Sequence, residues 1–590
     1  MIRRLVKRPW APDPLRVLLR VTYGVPVPLR MPLGRTLVAV SGDVRTDQST
    51  KPVSAVAHAV GLRALGREEE ARAFAVRAAA SSGSATRLAM ARFLDVMGAD
   101  ADSLDVLRSD KLPRDTAAAR AWRVLQARKA RRLGRYGEAL AAIDDALRRA
   151  PQDPVLSQRR RTLAKILERF ERLDEHPGHR NLARMPRRVV WLAYHGLPNK
   201  QSGYTLRTQQ SAIAQRNAGL DPHVLVLQGA AAYGNGANEA VVEGVPYQRF
   251  PGTWKLGRAG TAKGHDVVEL AAAALERLKP SAIQATTPFL VGRTGLALGR
   301  RFGLPVVYEV RGFIEEAWLA SVGESGIDAD HYVLTRKAEV ACMVEADAVV
   351  TLGEAMKAEI VARGVPAERI SVVPNVVDSQ RFTPGPRDGD LARDLGIADN
   401  ELVVGYISSL QPYEDFETFL GAVALLHSRG RPIRGLWVGG EGVKLAAARE
   451  RVANAGLGGV LLLPGRVPHT AVARYHRLID IFAVPRAKSR VGRLVTPLKP
   501  FEAMATGRPV VVSRLEALLE IVVDGETGLS YEAGNPDDLA DVLDRLIAQP
   551  ELRECLGQAA RAWVLANRTM EQMGERYLAL YERLGVVSRD

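Results

Sequence analysis

Residues 187–217 read RRVVWLAYHGLPNKQSGYTLRTQQSAIAQRN. Val189–Ala193 is a short apolar run, the pattern of a strand buried on both faces. His195-Gly196-Leu197-Pro198 ends it, Ser202-Gly203-Tyr204 follows, and a helical stretch runs to about Asn217. A glycine just ahead of a helix N-terminus lets a ligand come close, and the free N–H groups there attract anions. Val224–Leu227, Ala282–Ala285, Val306–Val310 and Ala348–Leu352 continue the alternation. A second series follows at Val403–Ile407, Leu436–Val438, Val460–Leu463, Ile481–Val484 and Val510–Val512. Apolar strands alternating with helices predict the α/β class, with parallel sheets covered on both sides. Two series predict two doubly wound Rossmann-like domains, parted near Pro374–Thr383. Such sheets bind ligands beyond the carboxyl ends of their strands, here the cleft between the domains.

The stretch before Arg187 differs in kind. The chain of 590 residues has a net charge of +16. All of that excess lies up to Pro186, with 36 basic and 20 acidic residues; the remainder holds 46 of each. Hydrophobic residues at 47% and charged residues at 25% exclude wholesale disorder. Two cysteines, Cys342 and Cys555, exclude a disulfide framework and point to a reducing compartment. The sequence holds no run of 18 apolar residues, and Met1–Trp10 lacks the apolar core of a signal peptide. The expectation is a cytoplasmic protein. Residues 1–40 form a basic segment in which Asp13 is the single acid. Charge and Trp10 suit an anionic membrane surface, and a covering loop or helix with solvated arginines suits the pattern as well. Residues 41–182 are helical by spacing. Leu65-Gly66, Ala71 and Ala78 resemble Leu133-Gly134, Ala139 and Ala146, a loose tetratricopeptide-like (TPR-like) pattern with Gly98 marking a degenerate copy. It reads as a protein-binding groove or as a helical spacer. Interleaved acids and the lack of a recognition motif argue against nucleic acid.

The chemistry concentrates in Arg490–Gly507, which ends Leu-Val-Thr-Pro-Leu-Lys-Pro-Phe-Glu-Ala-Met-Ala-Thr-Gly. Thr496 reads as an N-cap and Pro497 as the first helical residue. Lys499 works against the helix dipole there, which suggests a held anion. Glu502 shares its face at i, i+3 and suits paired sugar hydroxyls. A nucleoside-diphosphate grip and an ordinary surface Lys–Glu pair both fit this pattern.

From Arg187 to Leu584 the chain resembles retaining family-4 glycosyltransferases of the GT-B fold. The motifs are Gly465-Arg466-Val467-Pro468-His469, Ile481–Arg486, Pro500–Gly507, Glu520–Gly528, Phe250-Pro251, Tyr308–Phe313 and Val373–Asp378. Leu494–Gly507 looks most like the branch found beside bacterial extracellular polysaccharide and exosortase systems. The resemblance implies an acceptor domain at 187–378, a nucleotide-sugar domain at 379–565, and a final helix, 566–590, crossing back to the first sheet. It implies that Gly203 lies beside the donor diphosphate, Glu502 binds ribose, Arg466 and Val467 flank the base, and Lys499 takes phosphate charge. No cofactor and no metal are implied; the substrate is a UDP- or GDP-sugar. The acceptor is a glycan or lipid-linked glycan at the inner membrane face, for bacterial surface polysaccharide.

The resemblance has three departures. The usual first glutamate is Leu494. The usual basic pair is replaced by Ser408 and Ser409, whose hydroxyls suit phosphate without charge; Arg490, Arg493 and Lys499 are candidate substitutes. Arg311 stands where relatives often have histidine, and either acts on an anion in the reaction or pairs with Glu309 or Glu315. His195 and Tyr204 are acceptor candidates, with Trp254, Trp318 and Tyr332 as possible lining. Two rivals remain: a degenerate scaffold that works through its repeats, and a nucleotide-sugar 2-epimerase.

Overall fold

The computed structural model describes residues 37–38, 52–108, 116–170, 182–227, 238–250 and 264–588. Most of the basic segment and Trp254 lie outside them. The described chain divides into two compact units, one reaching residue 171 and including Ser325–Leu334, the other holding the rest.

The first unit is all helical: α1 (Pro52–Ala64), α2 (Glu68–Ser81), α3 (Ser84–Val96), α4 (Asp100–Leu107), α5 (Thr116–Arg132), α6 (Tyr136–Arg149) and α7 (Pro154–Glu168). Gly66, Gly98 and Gly134 end α1, α3 and α5 with φ of 78°, 79° and 68°, a left-handed turn that side chains resist. Ala71, Ala78 and Ala139 are fully buried, so neighbouring helices pack closely. Trp122 fills the middle and donates its indole N–H to the Leu107 carbonyl at 2.8 Å. Residues 325–334, assigned by sequence to the first α/β domain, join this unit. Asp330 accepts the Gly137 N–H at 2.7 Å, and His331 Nδ1 meets the Tyr136 hydroxyl at 2.8 Å.

The second unit holds two sheets, and the doubly wound architecture is as the strand series implies. The first has eight strands: β1 (Arg188–Ala193), β2 (Asp221–Val226), β3 (Glu239–Val242), β4 (Val245–Arg249), β5 (Ala282–Thr286), β6 (Val306–Glu309), β7 (Ala348–Thr351) and β8 (Ile370–Val372). Their order is β3-β4-β2-β1-β5-β6-β7-β8, parallel except for β3–β4. The second has β9 (Leu402–Ile407), β10 (Ile433–Val438), β11 (Leu461–Gly465), β12 (Ile481–Val484), β13 (Val510–Ser513) and β14 (Leu529–Tyr531). It is wholly parallel in the order β11-β10-β9-β12-β13-β14. Sequence reading misses β3, β4, β8 and β14. They lie at or next to sheet edges, and β3 is half exposed, so a continuous apolar run is not required there.

Two helices pack together over the first sheet beside β1. Helix α8 (Gly203–Asn217) follows β1, capped by the Ser202 side chain in a capping box. The C-terminal helix Met570–Arg583 crosses it with Met573, Tyr577, Leu580 and Tyr581 buried in the cluster that holds Val189 and Trp191. Gly574 makes this crossing close: a Cβ there would lie 2.6 Å from the Ala214 carbonyl oxygen. No described helix is long and apolar enough to cross a membrane.

Candidate active site

The cleft is built from the carboxyl ends of both sheets. On the first side, β1 leads through His195–Gln201 to the N-terminus of α8. On the second, β12 leads through helix Arg490–Leu494 to helix Lys499–Ala505. The latter begins at Lys499, not at Thr496-Pro497. Pro500 occupies its first turn, where a missing N–H costs nothing, and Leu498 caps it without a side-chain bond. Thr496 is therefore a loop residue. Its hydroxyl is buried without a protein partner, and its carbonyl accepts the Asn375 amide at 3.3 Å.

Gly203 faces this loop. A Cβ at Gly203 would lie 3.4 Å from the Leu498 side chain, and one at Gly312 3.9 Å from Val495. The two sides thus meet where α8 begins. Arg466 spans the same opening: it pairs with Glu441 at 3.3 Å and donates to the Gln201 carbonyl at 3.3 Å. Val467 is half buried against the second core.

Lys499 and Glu502 form the predicted pair. Lys499 Nζ lies 3.0 and 2.8 Å from the two Glu502 oxygens. A third residue joins them that sequence reading missed. His476 Nε2 lies 2.9 Å from Glu502 Oε2. Burial pushes the Glu502 carboxyl up, but Lys499 and the His476 bond outweigh it and hold the group down at about 2. Burial lowers the His476 imidazole despite the carboxylate. A neutral His476 thus donates to an ionised Glu502. The signal for His476 was faint: one histidine within the helical stretch before Ile481, with no spacing to tie it to Glu502.

Arg311 is a brace. Nε meets Glu309 Oε1 at 3.0 Å, and Nη1 donates to the Tyr204 carbonyl at 2.8 Å and the Thr208 hydroxyl at 2.7 Å. Of the readings open from sequence, the pair with Glu309 is the one formed; Glu315 instead takes Arg363 at 2.6 Å. The end of β6 and the residues after it set Glu309 and Arg311 side by side beneath α8, and the second terminal nitrogen of Arg311, Nη2, is buried without a hydrogen-bond partner. Glu309 is fully buried. Burial raises it, but the charges of Arg311 and Arg207 outweigh that and keep it below the ordinary glutamate value.

The other candidates divide. Arg490 pairs with Glu316 at 2.9 Å and Glu359 at 2.8 Å, and Arg493 with Glu516 at 2.5 Å, so both are held by carboxylates. Ser408 Oγ accepts from Leu410 N at 3.4 Å and Ser409 Oγ from Gln411 Nε2 at 3.3 Å. Behind Ser408 the backbone is tight: Gly439, at φ 124°, would place a Cβ 1.9 Å from the Ser408 carbonyl oxygen. His195 is lowered to about 4 by burial and by Lys200, whose Nζ sits 2.8 Å from Nε2. The Tyr204 hydroxyl bonds Thr287 Oγ1 at 2.5 Å. Tyr332, expected to line an acceptor site, is buried and belongs to the segment that joins the helical unit.

Two family models match this second unit in order. "Glycosyl transferase 4-like domain" covers residues 202–376, and "Glycosyl transferases group 1" covers 389–563. Together they span more than half of the chain. D-inositol 3-phosphate glycosyltransferase of Actinosynnema mirum is 32% identical over 278 residues, 45% of this chain and 64% of that protein. The Rhodococcus erythropolis protein of the same name is 28% identical over 428 residues, 68% of this chain and 92% of that protein. Among solved structures, sucrose-phosphate synthase of Thermosynechococcus elongatus matches with a TM-score of 0.57 at 20% identity, covering 68% of this chain and 99% of that one. Anabaena HepE in complex with UDP and glucose matches with a TM-score of 0.54 at 17% identity, covering 67% of this chain and 99% of that one.

Proposed function

We propose that this chain, a glycosyltransferase by both of its α/β domains, moves a hexose or hexose derivative from a UDP- or GDP-sugar onto a growing, lipid-linked glycan with retention at the anomeric carbon. The observation that carries the donor assignment is the Lys499–Glu502 pair, which follows directly on Leu498, the residue that a Cβ at Gly203 would meet at 3.4 Å. Glu502 stays ionised and offers lone pairs to the ribose diol. Lys499 and the free N–H groups of α8 take the charge of the diphosphate, in the place of a metal ion. Arg466 and Val467 flank the base. HepE, whose structure holds UDP and glucose, and the relatives named as sugar transferases support this reading.

In the reaction, the anomeric C–O bond to the diphosphate breaks. The acceptor oxygen bonds the anomeric carbon on the same face, and its proton leaves with a phosphate oxygen. The growing diphosphate charge is where fixed positive groups act most. Arg311 acts one step away: by holding the Tyr204 carbonyl and Thr208 it fixes the first turn of α8. The product belongs to bacterial surface polysaccharide. The basic segment 1–40 holds the enzyme at an anionic inner membrane face, and the TPR-like helices take a protein partner.

Turnover of the UDP- and GDP-sugars by Glu502→Ala and Lys499→Ala tests the site. Loss in both variants, with the fold intact, is expected. Full turnover in both sinks the assignment. Product formed from donor alone favours 2-epimerase chemistry, and nucleotide binding without turnover on any acceptor pool favours the scaffold.

A further inference from the structure

Behind Glu502 lies a histidine that no sequence motif marks, His476. His476 lies in the helix Val472–Leu478, the element just ahead of β12. It is fully buried, which is expensive for a ring with two polar atoms unless it does something there. Its ring stacks on Phe482 of β12 at 5.2 Å with 21° between planes. Phe382 meets it edge-on from another side at 5.4 Å. Flanked in this way, the ring cannot swivel. Nε2 points at Glu502 Oε2 at 2.9 Å, while Nδ1 is buried without a partner. The tautomer follows from this: the proton sits on Nε2, where a carboxylate accepts it.

Among the described residues Glu502 accepts from one other side chain, Lys499, and the two donors are unlike. Lys499 is partly exposed, sits on a flexible stem, and carries the charge that an incoming phosphate attracts. When it turns to phosphate, Glu502 loses it. His476 has no such freedom. A carboxylate serves a vicinal diol only if both oxygens are held in the plane that faces the two hydroxyls. We propose that His476 is a positioning residue for the donor's ribose: its Nε2–H fixes Glu502 in the orientation that accepts both the 2′- and 3′-hydroxyls after Lys499 has turned to the diphosphate. This rests on the reading of Glu502 as the ribose ligand.

The measurement that follows is a ratio. Dissociation constants of the full chain for UDP and 2′-deoxy-UDP, and for GDP and 2′-deoxy-GDP, are compared by calorimetry for four proteins: wild type, Glu502→Ala, His476→Leu and His476→Gln. Hydrogen bonds to a charged group are each worth enough that the wild type prefers the ribonucleotide by about tenfold or more. Glu502→Ala abolishes that preference. His476→Leu lowers it at least threefold, because the ribonucleotide loses two well-placed hydroxyl bonds and the deoxynucleotide only the one from its 3′-hydroxyl. His476→Gln, which carries an amide N–H near the Nε2 position, restores it. A merely structural histidine gives a different pattern, with both nucleotides weakened equally in His476→Leu. That result, or a full wild-type preference in His476→Leu, overturns the inference about His476 alone. A wild type without ribose preference, or a preference that survives Glu502→Ala, overturns the donor-site reading and this inference with it.

Discussion

Glu309→Gln tests the electrostatic brace beneath the cleft. Glu309 is fully buried and takes four donors: Arg311 Nε at 3.0 Å and Arg207 Nε at 3.1 Å on one oxygen, Gln284 Nε2 at 2.6 Å and the Tyr577 hydroxyl at 3.1 Å on the other. Glutamine keeps the shape and one accepting oxygen but removes the charge. Two buried guanidinium groups then lose their shared counter-ion. Breaking a buried pair in this way costs about 3–5 kcal/mol. Arg207 is also held by the Val373 and Pro374 carbonyls at 2.6 and 2.5 Å, which places the expected loss at the lower end. At roughly 2–4 °C per kcal/mol for a domain of this size, the melting transition of the first α/β domain falls by about 6–12 °C. Differential scanning calorimetry of the full chain reads it. The double variant Glu309→Gln, Arg311→Met removes one stranded cation, so its loss is smaller than the sum of the singles by about 1–3 kcal/mol. A Glu309→Gln transition within about 2 °C of wild type, or strict additivity of the pair, refutes the brace. The sign with pH is equally defined. A carboxyl held below its ordinary value stabilises fully above that value and loses its contribution as pH falls through the lowered one.

Glu502 gives a second pH test. Its carboxyl sits at about 2, so donor binding that depends on it is flat from pH 8 down to pH 5, as read by nucleotide titration calorimetry. A rise or fall in affinity centred between pH 6 and 7 that vanishes in Glu502→Ala contradicts the ionised assignment. Gly574→Ala destabilises the C-terminal crossing although alanine favours helices by about 1 kcal/mol, because the added methyl meets the Ala214 carbonyl at 2.6 Å and overpacking costs about 1–3 kcal/mol. A melting temperature above that of wild type contradicts the packing described here.

The double-wound fold is legible because parallel strands covered on both faces must be apolar throughout. Val189–Ala193 and Ile481–Val484 announce themselves without context. Edge strands carry no such demand, and β3, with its alternating exposure, reads as loop. The donor pair was legible for a related reason. Lys499 and Glu502 are three residues apart, and helical spacing alone puts them on one face. His476 lies 26 residues from Glu502, and Glu309 lies 102 residues from Arg207. No local period links such residues.

The chain by itself thus determined what local physics encodes: two strand series, a helix in the Thr496–Gly507 stretch though not its first residue, helix-ending glycines at Gly66 and Gly134, and a basic flank. Tertiary structure decided which charges are free to act. Arg490 and Arg493 look in sequence like anion ligands, yet each meets a carboxylate brought to it by another segment of the chain, while Arg311 is held by Glu309, two residues away, and by the first turn of α8. A charge acts on a ligand only when no nearer partner holds it, and that partner's distance is set by packing rather than by sequence separation.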